Sequence, residues 1–216
     1  CMARKKELRK AEFKTFPNCF DQQSQTRGQW SNYFQNNHPI TFELGCGKAA
    51  FIYEMAKRYP ERNFVGIDLK PARLWKPAGD AMEENISNLA FLCIHLLEID
   101  KFVAENEADE IWITFPDPFP KKRQAKHRMI NPPFLNMYKK LLKPEGSLFF
   151  KTDNLDLFQY SLEVFVREKN IKFHELSFDL HTDPTINQDA KITTDYEKMF
   201  MEMGKKINYT QISFPG

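Results

Sequence analysis

The sequence has little of what marks several classes of protein. Its four cysteines show neither Cys-x-x-Cys spacing nor a pattern with histidine, which argues against a structural metal site and against a disulfide framework. No run approaches the roughly 20 apolar residues of a membrane-spanning helix, and no apolar signal core follows the basic N-terminus. Lysine and arginine number 31 against 29 acidic residues, so net charge does not point to a polyanionic partner. We expect a cytoplasmic protein without metal or membrane segment.

The 216 residues, 42% of them hydrophobic, contain enough apolar material for one well-filled core. From residue 39, short apolar runs alternate with longer amphipathic stretches, which is typical of βα units and a parallel sheet. Residues 1–38 show no sustained period, so we expect a basic arm or an irregular lead-in there, ahead of a single domain over 39–216. The predicted strands are Ile40–Leu44, Phe64–Leu69, Leu89–Ile94, Ile111–Phe115, Ser147–Lys151, Lys172–Phe178 and Ile207–Phe214. The predicted helices are Ala49–Arg58, Leu155–Glu168 and Thr194–Met203.

Two glycines, Gly45 and Gly47, stand where the first predicted strand turns into a helix, and the backbone can approach a ligand closely there. A dinucleotide fingerprint would need a further glycine at Ala50, and the GxxxxGK phosphate loop is absent. Instead Glu43 precedes the loop, and Asp68 lies at the distance of a ribose-binding carboxylate. We therefore expect a ligand with a ribose and no pyrophosphate. S-adenosylmethionine fits, since its positive groups favour a carboxylate; the alternative is a bare turn followed by strand-end acids.

A proline-rich loop follows the fourth predicted strand. Prolines at 116, 118 and 120 bracket Asp117 and fix φ, so the carboxylate is held on a stiff segment at the carboxyl edge of the sheet. Five fixed positive charges in eight positions come next, and they predict a phosphate-binding patch; the alternative is a solvated charge run. These residues are Lys121, Lys122, Arg123, Lys126 and Arg128.

The chain resembles the bacterial tRNA (guanine-N7-)-methyltransferases. The resemblance rests on ELGCGKAAF at 43–51, FPDPFPKKR at 115–123, KTDN at 151–154, DLH at 179–181 and TDYE at 194–197. It implies an α/β class I methyltransferase (Rossmann-like) fold, with a mostly parallel seven-stranded sheet, helices on both faces and an antiparallel C-terminal strand. It also implies transfer of a methyl group from S-adenosylmethionine to N7 of a guanine in the variable loop of tRNA.

The resemblance also implies two groups of site residues. The cofactor-binding residues would be Glu43, Gly45, Gly47, Asp68, His95 and Asp117. The residues in contact with tRNA would be Lys121, Asp153, Thr194 and Glu197. Guanine N7 already carries a lone pair, so the reaction mainly needs alignment. Asp117 is the candidate catalytic residue, which would stabilise charge on the methylated purine or accept its N1 proton.

Three positions depart from the family pattern. Ala49 replaces a loop glycine, His95 stands where the family has an acid, and His127 stands where arginine is usual. The other motif residues are retained, so we expect an active enzyme. The competing hypotheses are a tRNA-binding protein impaired in catalysis and a methyltransferase for another substrate.

Two further features have structural interpretations. Thr194 and Glu197 have the spacing of a capping box, a role that can coexist with substrate binding. Among the aromatic residues near the proline loop, only Phe119 is expected to be exposed; the others are more typical of a core.

Overall fold

A computed structural model describes residues 1–215. The chain groups into two compact units, Cys1–Ala108 and Asp109–Gly216. The first unit contains α1 (Met2–Phe13), β1 (Cys19–Asp21), α2 (Trp30–Phe34), β2 (Ile40–Leu44), α3 (Ala50–Arg58), β3 (Asn63–Asp68), α4 (Pro71–Glu83) and β4 (Leu89–Cys93). The second contains β5 (Ala108–Thr114), apart from its first residue, and α5 (Pro132–Leu141), β6 (Leu142–Thr152), α6 (Leu155–Val166), β7 (Lys172–Ser177), α7 (Asp195–Glu202) and β8 (Asn208–Ser213).

In the first unit the strands lie in the order β1-β4-β3-β2, and each neighbouring pair is parallel. Every residue of β2 and β3 is buried, as expected for parallel strands that are covered on both faces. Helix α3 packs on β3 through a buried apolar face that includes Phe51, Ile52 and Met55. Because the strands are parallel, Leu44, Asp68 and Cys93 end at one edge.

In the second unit the strands lie in the order β5-β6-β8-β7, and β8 runs antiparallel to both β6 and β7. The Trp112 ring of β5 stacks on Phe149 of β6 with centroids 4.2 Å apart. The helices α5 and α6 pack on β6, and each begins at an asparagine, Asn131 or Asn154, whose side chain accepts a backbone N–H of the first turn.

The predicted α/β class, with a mostly parallel sheet and antiparallel C-terminal strands, is confirmed. Residues 1–215 contain eight strands, one more than the seven predicted. The additional strand is β1, whose Cys19–Asp21 pairs with Phe91–Cys93 of β4. Three residues are too short for a strand pattern to be recognised in the sequence.

The prediction of irregular structure over 1–38 is wrong at α1, β1 and α2. Helix α1 buries only Phe13, so its sequence carries no amphipathic period; it consists largely of strong helix formers such as alanine, lysine, glutamate and arginine. A single domain over 39–216 stays a prediction. No helix in the described part of the chain combines the length and the apolar composition needed to cross a membrane.

Candidate active site

The glycine loop between β2 and α3 is fixed by backbone hydrogen bonds to β3. The Cys46 N–H donates to the Ile67 carbonyl (2.9 Å), and the Gly47 N–H donates to Asp68 Oδ2 (2.9 Å). Gly45 and Gly47 have φ of 69° and 58°, a left-handed conformation that glycine adopts without steric cost. Two predicted cofactor residues, Gly47 and Asp68, are therefore in direct contact.

The Asp68 carboxylate joins the loop to the end of β3. Its Oδ1 accepts the Lys70 N–H (3.0 Å), and Arg73 Nη1 lies 3.7 Å from Oδ2. The side chain is 6% exposed. A carboxylate oxygen has more than one acceptor site, so Asp68 keeps capacity for a hydroxyl of a ligand while it positions Gly47.

Glu43 lies at the core end of the same loop, in β2, and is 1% exposed. Burial, followed by the negative charges of Glu43 and Asp68, raises the pKa of the Cys46 thiol well above its usual range. This cysteine is therefore a neutral thiol and not a nucleophile at neutral pH. The role of Glu43 in cofactor binding stays a prediction.

Gly66 in β3 supports the glycine loop, and it was not among the predicted site residues. It pairs in register with Glu43, and a Cβ at this position would lie 3.0 Å from Cys46 Sγ. The signal was available, since a glycine inside an apolar strand often marks a close approach of another segment.

Ala49, the departure from the family glycine, lies immediately before α3 with φ of 63° and is completely buried. This is again the left-handed conformation, and a residue with a Cβ adopts it at a cost of about 1–2 kcal/mol. A glycine at this position would adopt the left-handed conformation without that cost. In this chain Ala49 adopts it, so the backbone at the start of α3 is strained.

His95 is exposed and precedes a short 3-10 helix, Leu96–Lys101. The neighbouring Ile94 N–H donates to the Asp68 carbonyl (3.2 Å), so His95 lies at the edge where Asp68 ends β3. Its role in binding adenine stays a prediction.

The proline loop follows β5, and Asp117 is exposed on it. Asp117 Oδ1 accepts the Phe119 N–H (3.0 Å), which fixes the carboxylate in a local turn. Phe115 and Phe119 have φ of 52° and 42°, and such strain in residues other than glycine concentrates at functional sites. The expectation that Phe119 is exposed is wrong: it is half-buried, with its ring centroid 5.6 Å from that of His127.

The half-buried Arg128 stabilises the proline loop through hydrogen bonds, a role that the sequence did not predict. Its Nε and Nη2 donate to the Phe119 carbonyl at 3.1 and 3.0 Å, and its guanidinium lies 4.4 Å from the centroid of the Tyr160 ring. One of the five basic charges is therefore engaged in holding the loop. The exposed basic side chains are Lys121, Lys122, Arg123 and Lys126.

Lys121 lies between the proline loop and the 3-10 helix that carries the other exposed cations. Its backbone N–H donates to Gln124 Oε1 (3.1 Å) at the start of the 3-10 helix Lys122–His127. This short helix therefore presents exposed cations directly after Asp117.

Asp153 follows β6 and forms an ion pair with Lys205, with 2.9 Å between Lys205 Nζ and Asp153 Oδ2. The Asp153 side chain keeps 15% exposure. Contact between Asp153 and the tRNA stays a prediction. The substrate would have to compete with Lys205 for the Asp153 carboxylate.

Glu197 is completely buried in α7. Its Oε1 lies 2.8 Å from Lys151 Nζ and its Oε2 lies 3.1 Å from His181 Nε2. Thr194 Oγ1 accepts the Glu197 N–H at 3.3 Å, which confirms the capping interpretation for Thr194. Direct contact of Glu197 with a substrate stays a prediction, and it would require Glu197 to leave two partners.

The second unit brings the proline loop and α7 together. The Phe115 N–H donates to the Lys151 carbonyl (2.9 Å), and the Phe115 ring centroid lies 5.6 Å from that of Phe200. The Phe200 ring in turn contacts Tyr196, whose side chain is 66% exposed. Among residues 1–215, no group of three or more histidine, cysteine or acidic side chains is arranged to hold a metal ion.

Comparison with known proteins identifies the family. A family model described as "Putative methyltransferase" matches residues 37–210. The chain is 37% identical to the tRNA (guanine-N(7)-)-methyltransferase of Cytophaga hutchinsonii over 99% of both chains. It is 40% identical to the protein of that name from Porphyromonas gingivalis, over 93% of this chain and 85% of the relative. The chain belongs to the tRNA (guanine-N7-)-methyltransferase family.

Solved structures with much lower identity share the fold. An antibiotic-related methyltransferase matches with a TM-score of 0.65 and 18% identity, over 88% of this chain and 94% of the other. The 16S rRNA methyltransferase KamB matches with a TM-score of 0.65 and 11% identity over the same shares. Together with family membership, these matches confirm the predicted Rossmann-like methyltransferase fold.

Family membership also confirms the predicted cofactor, S-adenosylmethionine, and the predicted class of enzyme. The individual site residues stay predictions. The structure gives each of them a place, in the first unit for the glycine-loop group and in the second for the proline-loop group.

Proposed function

We propose that this protein transfers a methyl group from S-adenosylmethionine to N7 of a guanine in the variable loop of tRNA. The observation that carries the proposal is the proline loop, in which a fixed, exposed carboxylate at Asp117 is followed directly by exposed cations, in a chain of this family. An acid beside phosphate-binding cations suits a reaction on a nucleic-acid base. A small-molecule or protein substrate would leave those cations unexplained.

The methyl donor would be held by residues of the first unit. S-adenosylmethionine supplies an electrophilic methyl group on a positively charged sulfur. The residues fit it on two counts: the left-handed glycines Gly45 and Gly47 leave the backbone free for close approach, and the buried carboxylate of Glu43 complements positive charge. Asp68 would accept from the ribose hydroxyls, and His95 would accept from the adenine amino group.

Asp117 would act on the guanine. As N7 bonds to the methyl carbon, the bond from sulfur to that carbon breaks and its electron pair stays on sulfur. Positive charge develops on the purine, and a carboxylate within reach of the ring stabilises it or accepts the N1 proton. The local turn keeps the Asp117 side chain in one orientation, so little reorganisation is needed during the reaction.

The tRNA would be bound by cations that contact its phosphates and by polar residues that lie at the guanine. Lys121 and the exposed cations after it would contact phosphates, which gives affinity without sequence information. Asp153 and Thr194 would lie at the guanine, and Glu197 would hold α7 in place through Lys151. A tRNA substrate also supports the cytoplasm as the site of action.

The experiment is nucleoside analysis of unmodified tRNA after incubation with the protein and labelled S-adenosylmethionine. We expect label in 7-methylguanosine, mapped to the variable loop. Label in another nucleoside, or none although the donor binds, would contradict the proposal. Asp117→Asn is the matched control, because an asparagine oxygen can still accept the Phe119 N–H that fixes the turn.

A further inference from the structure

Helix α1, together with the residue that follows it, concentrates positive charge. Residues 1–14 contain six lysines and arginines and two glutamates, a net charge of +4, whereas the whole chain carries only +2. The rest of the chain is therefore net negative. Every residue from Met2 to Arg9 is exposed, and α1 buries only Phe13. The cations are Arg4, Lys5, Lys6, Arg9, Lys10 and Lys14.

The cations in the first half of the helix are not offset by acidic side chains. Glu7 pairs with Lys10 at 3.2 Å, one turn further along. Among residues 1–215, no acidic side chain forms an ion pair with Arg4, Lys5 or Lys6. Three adjacent positive charges therefore face solvent and are accessible to a ligand.

The spacing of the cations disfavours the helix that carries them. Three pairs of cations are four residues apart, namely Lys5 and Arg9, Lys6 and Lys10, and Lys10 and Lys14. Like charges at this spacing are neighbours on the helix surface and destabilise an isolated helix. A bound polyanion removes this repulsion, because its phosphates neutralise the cations. Folding alone gives no reason for the pattern.

Helix α1 is fixed to the first unit by its last turns. Glu12 Oε2 accepts the Trp75 indole N–H at 2.6 Å, and the Arg9 guanidinium lies 4.7 Å from the centroid of the Trp75 ring. Phe13, at the end of the helix, is 2% exposed. The cations therefore lie on an ordered helix that packs against α4, so little conformational entropy is lost when a ligand binds them.

Helix α1 borders the edge of the sheet where we place the methyl donor. Lys10 and Lys14 line one cleft together with Leu69 and Cys93. Leu69 directly follows Asp68 at the end of β3, and Cys93 ends β4. The other charged or amide side chains of the cleft are Glu7, Asp21, Gln22 and Gln23. The basic helix thus lies beside the donor end of the first unit, which a substrate must approach to receive a methyl group.

The composition of α1 favours RNA over a membrane surface. A helix that lies on a membrane buries an apolar stripe on the side opposite its cations. The exposed large apolar residues of α1 are Met2 and Leu8. At six residues apart they point in directions roughly 120° apart around the helix, so they form no stripe. Phosphate contacts of a nucleic acid need cations only.

We propose that the exposed cations of α1 bind phosphates of the tRNA substrate. The proposal rests on the proposed function, and it adds an RNA contact in the first unit to the cations that follow Asp117. The contact supplies affinity and salt dependence without sequence information, since every nucleotide carries the same phosphate. Helix α1 thus helps to hold the tRNA at the donor end and touches none of the reacting atoms.

Binding of unmodified tRNA as a function of salt concentration tests the proposal. Replacing Arg4, Lys5 and Lys6 with alanine keeps α1 helical, because alanine is the strongest helix former. At about 0.15 M salt, we expect the affinity for tRNA to fall by at least about 5-fold. The slope of log affinity against log salt should become shallower by roughly 1–3 units. The KM for tRNA in the methylation assay should rise as well.

Two controls separate charge and position from general damage to the helix. The variant that combines Arg4→Lys, Lys5→Arg and Lys6→Arg preserves the charge and should bind tRNA with the original slope. The second control removes the same charge elsewhere. It replaces three exposed cations near the start of β7 with alanine, namely Arg167, Lys169 and Lys172, and should also leave the slope unchanged.

Equal slopes for the original protein and the α1 alanine variant would overturn the proposal, and so would equal flattening by the β7 control. Binding to phosphatidylglycerol vesicles that is lost in the α1 variant, with an unchanged slope for tRNA, would assign α1 to a membrane surface instead. Absence of 7-methylguanosine with the original protein would contradict the proposed function. The binding slopes would then still decide whether α1 contacts RNA.

Discussion

Lys151 Nζ lies 2.8 Å from Glu197 Oε1, and both side chains are completely buried. The ammonium also donates to the carbonyls of Ala190 (3.0 Å) and Ile192 (2.9 Å), so one side chain joins β6, the segment before α7 and α7 itself. The KTDN and TDYE motifs thus meet inside the second unit. Because the Lys151 carbonyl also accepts the Phe115 N–H, the same residue anchors the proline loop.

The first prediction follows from this pair. Glu197→Gln leaves the buried Lys151 charge without its carboxylate, and we expect the free energy of unfolding to fall by about 3–5 kcal/mol. Denaturant unfolding measures it. The control Glu202→Gln, at an exposed position of the same helix, should change stability by less than about 0.5 kcal/mol. Equal effects of the two substitutions would show that the ion pair contributes nothing.

A second prediction concerns the strain at Ala49. Ala49→Gly removes about 1–2 kcal/mol of left-handed strain and costs about 0.4–1 kcal/mol through unfolded-state entropy, so we expect a net gain in stability of up to about 1.6 kcal/mol. Ala50→Gly, one residue later at the first position of α3, removes no strain and should instead lose up to about 0.5–1 kcal/mol. Thermal unfolding of the two variants in parallel gives the comparison. A loss at both positions would refute the strain.

The third prediction concerns the exposed cations after Asp117. Replacing Lys121, Lys122 and Arg123 with alanine should weaken tRNA binding and flatten the slope of log affinity against log salt by up to roughly 2–3 units. Binding of S-adenosylhomocysteine should not change. The matched control replaces three exposed cations near the start of β7 with alanine, namely Arg167, Lys169 and Lys172. We expect an unchanged slope for this control. Equal slopes in the two triple variants would mean that the run is only a solvated surface.

The fourth prediction concerns His95. A ring nitrogen of a neutral imidazole can accept a hydrogen bond from the adenine amino group, whereas a leucine side chain cannot. His95→Leu should therefore weaken binding of S-adenosylmethionine by about 2- to 10-fold, the scale of one hydrogen bond, and His95→Asp should retain it. Calorimetric titration measures the affinities, with His38→Leu as the control at another exposed histidine. Equal affinities of the original protein and His95→Leu would exclude His95 as the adenine acceptor.

Much of the fold was predictable because its strands are short apolar runs with clear ends; Ile40–Leu44 was predicted with its observed bounds. The glycine loop and Asp68 were predictable because each directly follows or ends an apolar run, so neighbouring residues in the sequence are enough to place them at a strand end. The role of Arg128 was not, since a charge run does not tell which cation turns inward to the Phe119 carbonyl. The burial of Glu197 was not predictable either, because its partner Lys151 is distant in sequence and the pair forms only on folding.

The fifth prediction concerns Asp117. Asp117→Asn should lower turnover at saturating donor and tRNA by at least ~100-fold, the scale of one acid-base or charge-stabilising group. The fold and the affinity for S-adenosylhomocysteine should be retained, since the turn to Phe119 can form with asparagine. Near-normal turnover would remove Asp117 from the mechanism.

Substitution of the single atom N7 in the target guanine tests most directly whether that atom receives the methyl group. Two tRNAs are compared under saturating labelled S-adenosylmethionine, one unmodified and one with 7-deazaguanosine at the methylated position of the variable loop. We expect one equivalent of label, recovered as 7-methylguanosine, in the first tRNA and none in the second. Equal labelling of both tRNAs, or label in a nucleoside other than 7-methylguanosine, would contradict it.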